Sequence, residues 1–392
     1  MSTRRKFLQG VAGSAAVGAA AAESKKIRLA VVGGGFGATF HWHQHPNCVV
    51  TAVTDLYPNR RDRLRKAYSC DSVYDSLEDL LAKRRDLDAV AIFSGAPDHF
   101  KHTRQCMDQG LHVTCAVPAC VSLEEAEQLR AIKEKTGLRY MMAESSYYRQ
   151  ATIYARELYQ QGGFGEIVYN EVEYYHDFDF EERLRNRSSL YYHPDGSNSW
   201  RQGFPPMHYP THSLGFVVGV TGERITTVSC VGTGDRAKMA RLPSNVYGNP
   251  FFNEFALMRT SRGNIVRHNE CRQIASPETE RAQWFGEKGA LYMAKPGILP
   301  DTWQPRYGKP GPVQIPNYWT TDRLPPAMRH PSGHGGSAVF LSAEFINALV
   351  EDREPAVNVY DALAMTVPGI VAHQSALKNS EVMRVPSFDR GA

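Results

Sequence analysis

The chain has 392 residues, of which 42% are hydrophobic and 22% charged, a composition typical of folded globular proteins. Two domains are expected at this length. The net charge is +4, and three of the positive charges lie in residues 1–22, which contain no acidic residue. The remaining body, with a net charge of +1, has no long basic stripe, so nucleic acid is not an expected partner.

Cysteines and apolar runs exclude further classes. The seven cysteines contain no C-x-x-C pair, so we predict neither a disulfide framework nor a zinc site. After residue 22, no apolar run approaches the roughly 18 residues of a transmembrane helix. Integration into a membrane is therefore not expected.

Residues 1–22 resemble an export signal. The pair Arg4-Arg5 is followed by a short, weakly apolar stretch and by alanines at positions 20 and 22. Paired arginines, a short apolar region and an A-x-A site are typical of a twin-arginine signal peptide, and the alternative is a disordered basic tail. We therefore predict a periplasmic or other extracytoplasmic protein. Twin-arginine export moves folded proteins, often because a cofactor is loaded beforehand.

A glycine motif follows the first predicted strand. Ile27–Val32 is a continuous apolar run, as a buried parallel strand requires, and it leads into Gly33-Gly34-Gly35-Phe36-Gly37-Ala38. This segment fits G-x-G-x-x-A. Gly33 allows the tight turn, Gly35 lets the backbone approach a pyrophosphate, and Ala38 lets the next helix pack closely. The pattern predicts a dinucleotide site; the alternative is a purely structural glycine turn.

Asp55 strengthens the dinucleotide prediction. It ends the second predicted strand, Val49–Thr54, about 20 residues after the glycines, where a carboxylate binds the ribose hydroxyls of NAD. The same carboxylate would repel the extra phosphate of NADP. Arg60 and Arg61 lie nearby, so NADP stays possible but less favoured.

Strands and helices then alternate, which predicts a doubly wound parallel sheet, a Rossmann domain over residues 23–148. Ser122 is the expected N-cap of a helix that ends near Gly137. The other predicted elements are helices over 76–82 and 99–109 and strands over 88–93, 112–115 and 139–143.

From about residue 149 the pattern changes to longer strands with hairpin signals. They predict an α+β substrate domain over 149–392 with an open, mostly antiparallel sheet. Nine prolines between 296 and 331 predict a long loop, which would serve as a lid or as a subunit contact. A helix is expected over 337–352. The predicted strands span 166–175, 225–231, 251–259 and 265–273.

The second half also carries the residues best suited to proton chemistry. Ten of the 19 tyrosines fall between 147 and 209, where they could stack on a sugar or simply cover a sheet. His208 and His212, four residues apart, can share a helical face and exchange protons near neutral pH. No third metal ligand is evident, so we expect no metal.

Other histidines give weaker signals. His41 and His45 would share a helix face while His43 points away, which disfavours a compact metal site. His334 lies between glycines and could contact substrate or cap a helix.

Two segments of the first half resemble the Gfo/Idh/MocA oxidoreductase family. They are Ser94-Gly-Ala-Pro-Asp-His99 and Gly110-Leu-His-Val-Thr-Cys-Ala-Val-Pro118. The resemblance implies cofactor contacts from Phe36, Ala96, Pro97, His99, Ala116 and Val117. One departure is important: the family's Glu-Lys pair, whose lysine lies at the reacting carbon, is here Ala116-Val117.

Further stretches resemble glycoside hydrolase family 109, a branch that also tends to lack the lysine and cleaves glycosides with tightly held NAD. The matching stretches cover nearly all of residues 27–390; they begin at Met141, Gly163, His208, Gly333 and Val359.

The most specific of these stretches is Tyr209-Pro-Thr-His212. The resemblance implies that Tyr209 contacts both cofactor and substrate and that Tyr174 contacts the substrate. It implies that His212 acts as a general acid and base. His208 takes the place of a catalytic-site aspartate. Ser145 replaces an asparagine at the nicotinamide, and Ser213 replaces a common glycine, so the sugar's identity does not transfer.

Two functions follow as expectations. The first is glycoside hydrolysis through oxidation at carbon 3, elimination, water addition and reduction. The second is a net NAD(P)-dependent sugar dehydrogenase in the same fold. Export favours the first, because no NAD pool lies outside the cytoplasm. A sugar or glycoside is the expected partner, and a homo-oligomer is the expected assembly.

Overall fold

The structure is a computed structural model that describes residues 26–242 and 245–391. Residues 1–22, for which a twin-arginine signal is predicted, lie outside the described residues. Within the described ranges, no helix combines the length and the apolar character needed to cross a bilayer.

The first sheet has six parallel strands in the order β3-β2-β1-β4-β5-β6, which confirms the doubly wound prediction. Its central strands are buried, as their continuous apolar runs require. The strands are β1 (Ile27–Val32), β2 (Cys48–Thr54), β3 (Val73–Tyr74), β4 (Ala89–Ile92), β5 (His112–Cys115) and β6 (Tyr140–Met142).

Three predicted helices of the first domain form, but the helix expected after the glycine motif is replaced by two 3-10 turns, Gly37–Thr39 and Trp42–Gln44. Ser122 caps α4 by accepting a hydrogen bond from the Glu125 N–H (3.1 Å), and Gly137 ends the helix at φ +66°. The chain order is α1 (Pro58–Tyr68), α2 (Leu77–Lys83), α3 (His99–Asp108), α4 (Leu123–Thr136) and α5 (Gln150–Gln160). Sequence analysis did not predict α1, α5 or the two-residue strand β3.

The second sheet has nine strands in the order β14-β13-β12-β11-β7-β10-β9-β8-β15. Only the β7–β10 pair is parallel, so the mostly antiparallel prediction is confirmed. The strands are β7 (Ile167–Tyr175), β8 (Ile225–Thr233), β9 (Asn253–Thr260), β10 (Ile265–Cys271), β11 (Thr279–Gly286), β12 (Gly289–Tyr292), β13 (Thr302–Pro305), β14 (Gly311–Pro312) and β15 (Met383–Arg384).

The remaining helices are α6 (Phe180–Arg185), α7 (Thr211–Thr221), α8 (Arg236–Met239), α9 (Ala338–Val350) and α10 (Val359–Leu377). The segment that carries α9 and α10 returns to the first sheet. The Met142 N–H donates to the Val357 carbonyl (2.9 Å), and Lys133 pairs with Glu354 (2.5 Å). The two sheets are thereby held in one arrangement.

The proline-rich segment 296–331 is not all loop, since it contains β13, β14 and two short 3-10 helices. Prolines are tolerated there because these strands lie at one end of the sheet, where fewer backbone N–H groups are needed. All seven cysteines are free and buried, as predicted.

Candidate active site

The strand order reverses between β1 and β4, and nucleotides bind outside the carboxyl ends of the strands at such a point. We call this place in the first domain the groove. Gly33 has φ +98°, and a Cβ there would lie 2.2 Å from the Phe93 carbonyl oxygen. Its role is to make the turn. At Gly35 a Cβ would meet nothing closer than the Arg60 guanidinium, 3.9 Å away. This open space is the cradle that a pyrophosphate would fill.

Asp55 lies at the end of β2 beside the glycine turn and is 8% exposed. Its carboxylate accepts hydrogen bonds from the Gly34 N–H (2.8 Å) and the Tyr57 N–H (2.9 Å). These contacts fix the carboxylate at the groove, where its remaining lone pairs suit ribose hydroxyls. Arg61 pairs with Asp75 (3.1 Å), whereas Arg60 has no ion pair with any residue the structure describes.

The turns after β4 and β5 form the next part of the groove. Ala96, Ala116 and Val117 are buried there, and Pro97 is partly exposed. The imidazole of His99 joins the two turns, since its Nδ1 lies 2.7 Å from the Pro118 oxygen and its Nε2 3.1 Å from the Ser94 oxygen. His99 therefore positions the groove; its direct contact with a cofactor stays a prediction.

His212 is the second residue of α7 and faces a carboxylate from the first domain. Its Nδ1 lies 3.0 Å from Glu144 Oε1 and 3.4 Å from Ser145 Oγ. Gly215, one turn later, allows this approach, because a Cβ there would already be 3.0 Å from Glu144 Cγ. The Nε2 atom makes no hydrogen bond with any residue that the structure describes.

The sheet supplies the second carboxylate. In the register, Tyr174 on β7 pairs with Glu280 on β11. Glu280 Oε1 lies 3.7 Å from His212 Nδ1, and Glu280 also pairs with Arg149. The rings of Tyr174 and Tyr209 lie 5.0 and 5.3 Å from the imidazole of His212. We call Glu144, Arg149, His212 and Glu280 the acid–base cluster.

Charges within the acid–base cluster decide its protonation. Burial alone lowers the pKa of His212, but the carboxylates of Glu144 and Glu280 raise it to about 10. Burial raises the pKa of Glu280, but Arg149 and His212 lower it to about 2. The pKa of Glu144 is also lowered, because His212 outweighs its burial. At neutral pH the cluster holds an imidazolium between two carboxylates.

These four groups also bear on metal binding. Donor atoms of Glu144, His212 and Glu280 lie within 4.8 Å of one another. However, the two carboxylate charges are already balanced by Arg149 and by protonated His212. A divalent ion would have to displace the His212 proton, so the cluster is better suited to proton transfer.

His208 has different surroundings from His212. It ends a short 3-10 helix, Pro206–His208, and α7 begins only after Pro210, so the predicted shared helical face is wrong. Its ring contacts His373 (5.1 Å) and Phe204 (5.7 Å). Burial and then His373 lower its pKa to about 3, so it is neutral. A catalytic role for His208 stays a prediction.

His334 lies between the groove and the acid–base cluster. Its ring packs edge-on against Phe36 of the glycine motif, with ring centres 4.4 Å apart. Burial and then the charge of His212 lower its pKa. Its carbonyl accepts from Ser337 Oγ at the start of α9 (2.6 Å). His334 does not cap α9, whose N-cap is Ser337, and its contact with substrate stays a prediction.

The histidines at positions 41, 43 and 45 have separate contacts. His45 is held by Asn347 (3.0 Å) and by the Asn47 N–H (3.1 Å). The ring of His41 lies near that of His330 (5.0 Å), and His43 packs on Tyr68 (5.6 Å).

Comparison with known families agrees with this geometry. Residues 27–144 match the family model of the Gfo/Idh/MocA oxidoreductases, described as an NAD-binding Rossmann fold. Residues 322–392 match the C-terminal domain of glycosyl hydrolase family 109. Each match covers less than a third of the chain, and together they confirm the predicted resemblance to the Gfo/Idh/MocA oxidoreductases and to family 109. The first domain therefore has the NAD-binding Rossmann fold that the glycine motif predicted.

Individual proteins that are similar to this chain bear the name of family 109. A glycosyl hydrolase family 109 protein of Solibacter usitatus is 25% identical over 93% of this chain and 89% of its own length. Another from Saccharopolyspora erythraea is 24% identical over 97% of this chain and 87% of its own.

Solved structures show the same fold. An inositol dehydrogenase homolog from Azotobacter vinelandii, complexed with NAD+, has a TM-score of 0.72 at 19% identity, covering 92% of this chain and 98% of its own. An oxidoreductase domain protein from Kribbella flavida also has a TM-score of 0.72, at 17% identity, covering 93% and 100%.

The acid–base cluster predicts how stability depends on pH. The pKa of His212 rises from 6.5 to about 10 on folding. Protonation of His212 therefore contributes fully to the free energy of unfolding below about pH 6.5, and this contribution is lost as the pH rises through about 10. We expect the free energy of unfolding of the wild type to exceed that of His212→Gln most near pH 6. That difference should shrink steadily toward alkaline pH.

Urea unfolding of both proteins at several pH values measures this difference. Both proteins contain the same tyrosines and lysines, which also titrate in alkali, so the contribution of these residues to the free energy of unfolding cancels in the difference. A difference that stays constant from neutral pH to about pH 10 would show that His212 is neutral in the folded protein.

Three members of the acid–base cluster were not predicted as site residues: Glu144, Arg149 and Glu280. Glu144 could have been found, because it follows β6 at the carboxyl end of a parallel strand, where ligands bind in this fold. Glu280 and Arg149 carry no local signal. They reach the site only through the pairing of β11 with β7 and the packing of the chain between β6 and α5.

Proposed function

We propose that the protein is an NAD-dependent enzyme that hydrolyses a glycoside through oxidation at carbon 3, elimination, water addition and reduction. The observation that carries this proposal is the His212–Glu144 pair, set beside two tyrosines in a fold whose usual lysine is replaced by Val117. Proton exchange therefore has to depend on His212.

The groove supplies what the cofactor needs. Gly33 and Gly35 form the pyrophosphate cradle, Asp55 faces the ribose, and the turns at Ala96 and Val117 lead toward the acid–base cluster. Bound there, NAD would take up the hydride of carbon 3 and give it back before product release.

His212 is oriented for the proton steps. Glu144 and Glu280 hold its Nδ1, which leaves Nε2 to meet the sugar. Water takes up the hydroxyl proton released when carbon 3 is oxidised and then the proton of carbon 2, while the protonated imidazole donates its own proton to the departing aglycone oxygen. Solvent returns both protons when water adds across the double bond and carbon 3 is reduced. In neutral form the imidazole then accepts a proton from the water that adds to the double bond. One water is consumed and one glycosidic bond is broken.

Contacts between the domains support a retained cofactor. His193 stacks on Tyr57 beside Asp55, with ring centres 5.6 Å apart. Trp200 packs against Gly95, in the turn after β4, so closely that a Cβ there would lie 2.7 Å from its ring. The segment that carries these residues crosses the groove, so an exchanging cofactor would have to displace it. Retention also suits the export that we propose from Arg4-Arg5.

A net sugar dehydrogenase is the second candidate. Removing a hydroxyl proton is common to both reactions, and His212 could serve either one. Arg60, with no ion pair among the described residues, stands beside the glycine turn and could accept the extra phosphate of NADP.

A screen of chromogenic α- and β-glycosides tests the proposal. Purified protein without added nucleotide should release aglycone from at least one glycoside, and the near-ultraviolet absorbance of NADH should not rise in proportion. Oxidised sugar with its glycosidic bond intact, formed only with an added electron acceptor, would instead establish the dehydrogenase.

A further inference from the structure

A small cavity of about 110 Å³ adjoins the acid–base cluster. Tyr174 and Tyr209 belong to both, since they line the cavity and also contact the ring of His212. We call this cavity the arginine pocket. Its lining residues are Tyr174, His176, Phe178, Leu190, Trp200, Arg201, Phe204, Tyr209 and Arg272.

Arg272 brings a largely buried positive charge to the arginine pocket. Its side chain is 11% exposed, and its guanidinium carbon lies 4.6 Å from the ring centre of Tyr174 and 5.5 Å from that of Tyr209. Its one ionic contact among the described residues is long, 3.5 Å to Glu270 Oε2. Its other N–H donors have no partner among the described residues, so most of the guanidinium fork is available.

The nearby carboxylates do not neutralise this charge well. Glu270 Oε1 accepts from His268 Nε2 (2.8 Å) and Ser213 Oγ (2.8 Å), so Glu270 is largely committed elsewhere. Glu280 is bound to Arg149, as described above. None of the nine lining residues is acidic.

A second guanidinium lies in the same lining. Arg201 stacks over the neighbouring Trp200 ring at 4.4 Å and forms no ion pair with a described residue. His176 adds no further cation, because burial, then Arg272, Arg183 and Arg201, lower its pKa to about 3. Its Nδ1 lies 2.9 Å from Oε1 of Glu278, a carboxylate that is 66% exposed and outside the lining. The arginine pocket therefore presents two cations and a neutral imidazole among aromatic rings.

We propose that the arginine pocket binds an oxyanion carried by the sugar, a carboxylate, sulfate or phosphate group, with Arg272 as the main donor. Guanidinium forks match these planar or tetrahedral oxyanions, and burial among rings strengthens the pairing. This choice of substrate class rests on the proposed function. The oxyanion would lie beside the tyrosines that adjoin His212, so the reacting sugar ring itself would carry it.

Matched sugar pairs test the proposal with the NAD-loaded protein. Calorimetry compares 4-nitrophenyl glucosides and galactosides with the corresponding glucuronides and galacturonides, and with the 6-sulfates and 6-phosphates. At least one anionic member should bind about 10-fold or more tighter than its neutral partner, the weight of a charge-assisted hydrogen bond. The oxyanion that increases the binding affinity most identifies the kind of anionic sugar that the protein takes as substrate.

Variants assign the effect to Arg272. Arg272→Gln should weaken the anionic ligand about 10- to 100-fold and the neutral one at most about three-fold, with Arg272→Lys between wild type and Arg272→Gln. The control is Arg267→Gln, which removes an equal charge outside the arginine pocket. Arg267 lies on β10, the strand that precedes Arg272, and pairs with Glu171. This variant should change the affinity for neither ligand. Circular dichroism and bound NAD content confirm that each variant is folded and loaded.

The outcomes separate the two proposals. Tight anion binding without aglycone release or cofactor reduction would leave the arginine pocket standing and contradict the enzyme proposal. Turnover of neutral glycosides alone, with equal affinity for both members of each pair, would overturn the oxyanion site. Equal losses for both members in Arg272→Gln would also overturn it, since Arg272 would then only hold the tyrosine rings in place.

Discussion

Replacing His212 by alanine should lower the turnover number about 100-fold or more, the usual weight of a positioned proton donor or acceptor. The acid–base cluster gives the reason: Glu144 and Glu280 hold this imidazole protonated and aim it at the tyrosines, and no other described imidazole shares those contacts. Tyr209→Phe should have a comparable effect. Steady-state kinetics on the best glycoside from the screen measure both.

The histidine prediction has a matched control. His43→Ala removes an exposed imidazole whose ring contacts, among the described residues, are with Tyr68 and His41. Its turnover should stay within about two-fold of wild type. Bound NAD should remain within a few-fold in every variant. Near-normal turnover by His212→Ala would show that the acid–base centre lies elsewhere.

Replacing Gly35 by valine should abolish cofactor loading while leaving the fold intact. The protein itself has room for the side chain, because a Cβ meets nothing within 3.9 Å, but the side chain would enter the pyrophosphate cradle. Wild-type protein should yield nicotinamide nucleotide on denaturation and chromatography, and Gly35→Val should yield about a tenth or less.

Two comparisons make the glycine prediction specific. The free energy of unfolding of Gly35→Val should match NAD-stripped wild type within about 1 kcal/mol, whereas Gly33→Val should be much less stable because its side chain collides with Phe93. Gly311→Val, at an open glycine on β14, should load normally. A full complement of NAD in Gly35→Val would contradict the placement of the pyrophosphate.

The first domain could be predicted from sequence because its signals are local. The apolar run Ile27–Val32, the glycines and Asp55 lie within 30 residues, and each belongs to one strand or turn. The caps of α4 likewise depend on neighbours, so Ser122 and Gly137 were placed correctly. What sequence did not show is that Asp55 also holds the glycine turn through the Gly34 N–H.

The acid–base cluster could be predicted only in part, since its members come from distant elements. His212 and Tyr209 share one motif, but Glu280 lies more than 100 residues from Tyr174 and reaches it by strand register alone. The pairing of His208 with His212 failed because Pro210 separates a 3-10 turn from the start of α7. Periodicity assumes a continuous helix, and Pro210 breaks that assumption.

Isotope labelling tests the central claim, a redox-neutral elimination cycle, most directly. Product formed in deuterated water should carry deuterium at carbon 2, because that hydrogen leaves as a proton. Substrate deuterated at carbon 3 should react more slowly yet keep its deuterium in the product. Hydrolysed product with no solvent deuterium at carbon 2 and no isotope effect at carbon 3 would contradict the claim.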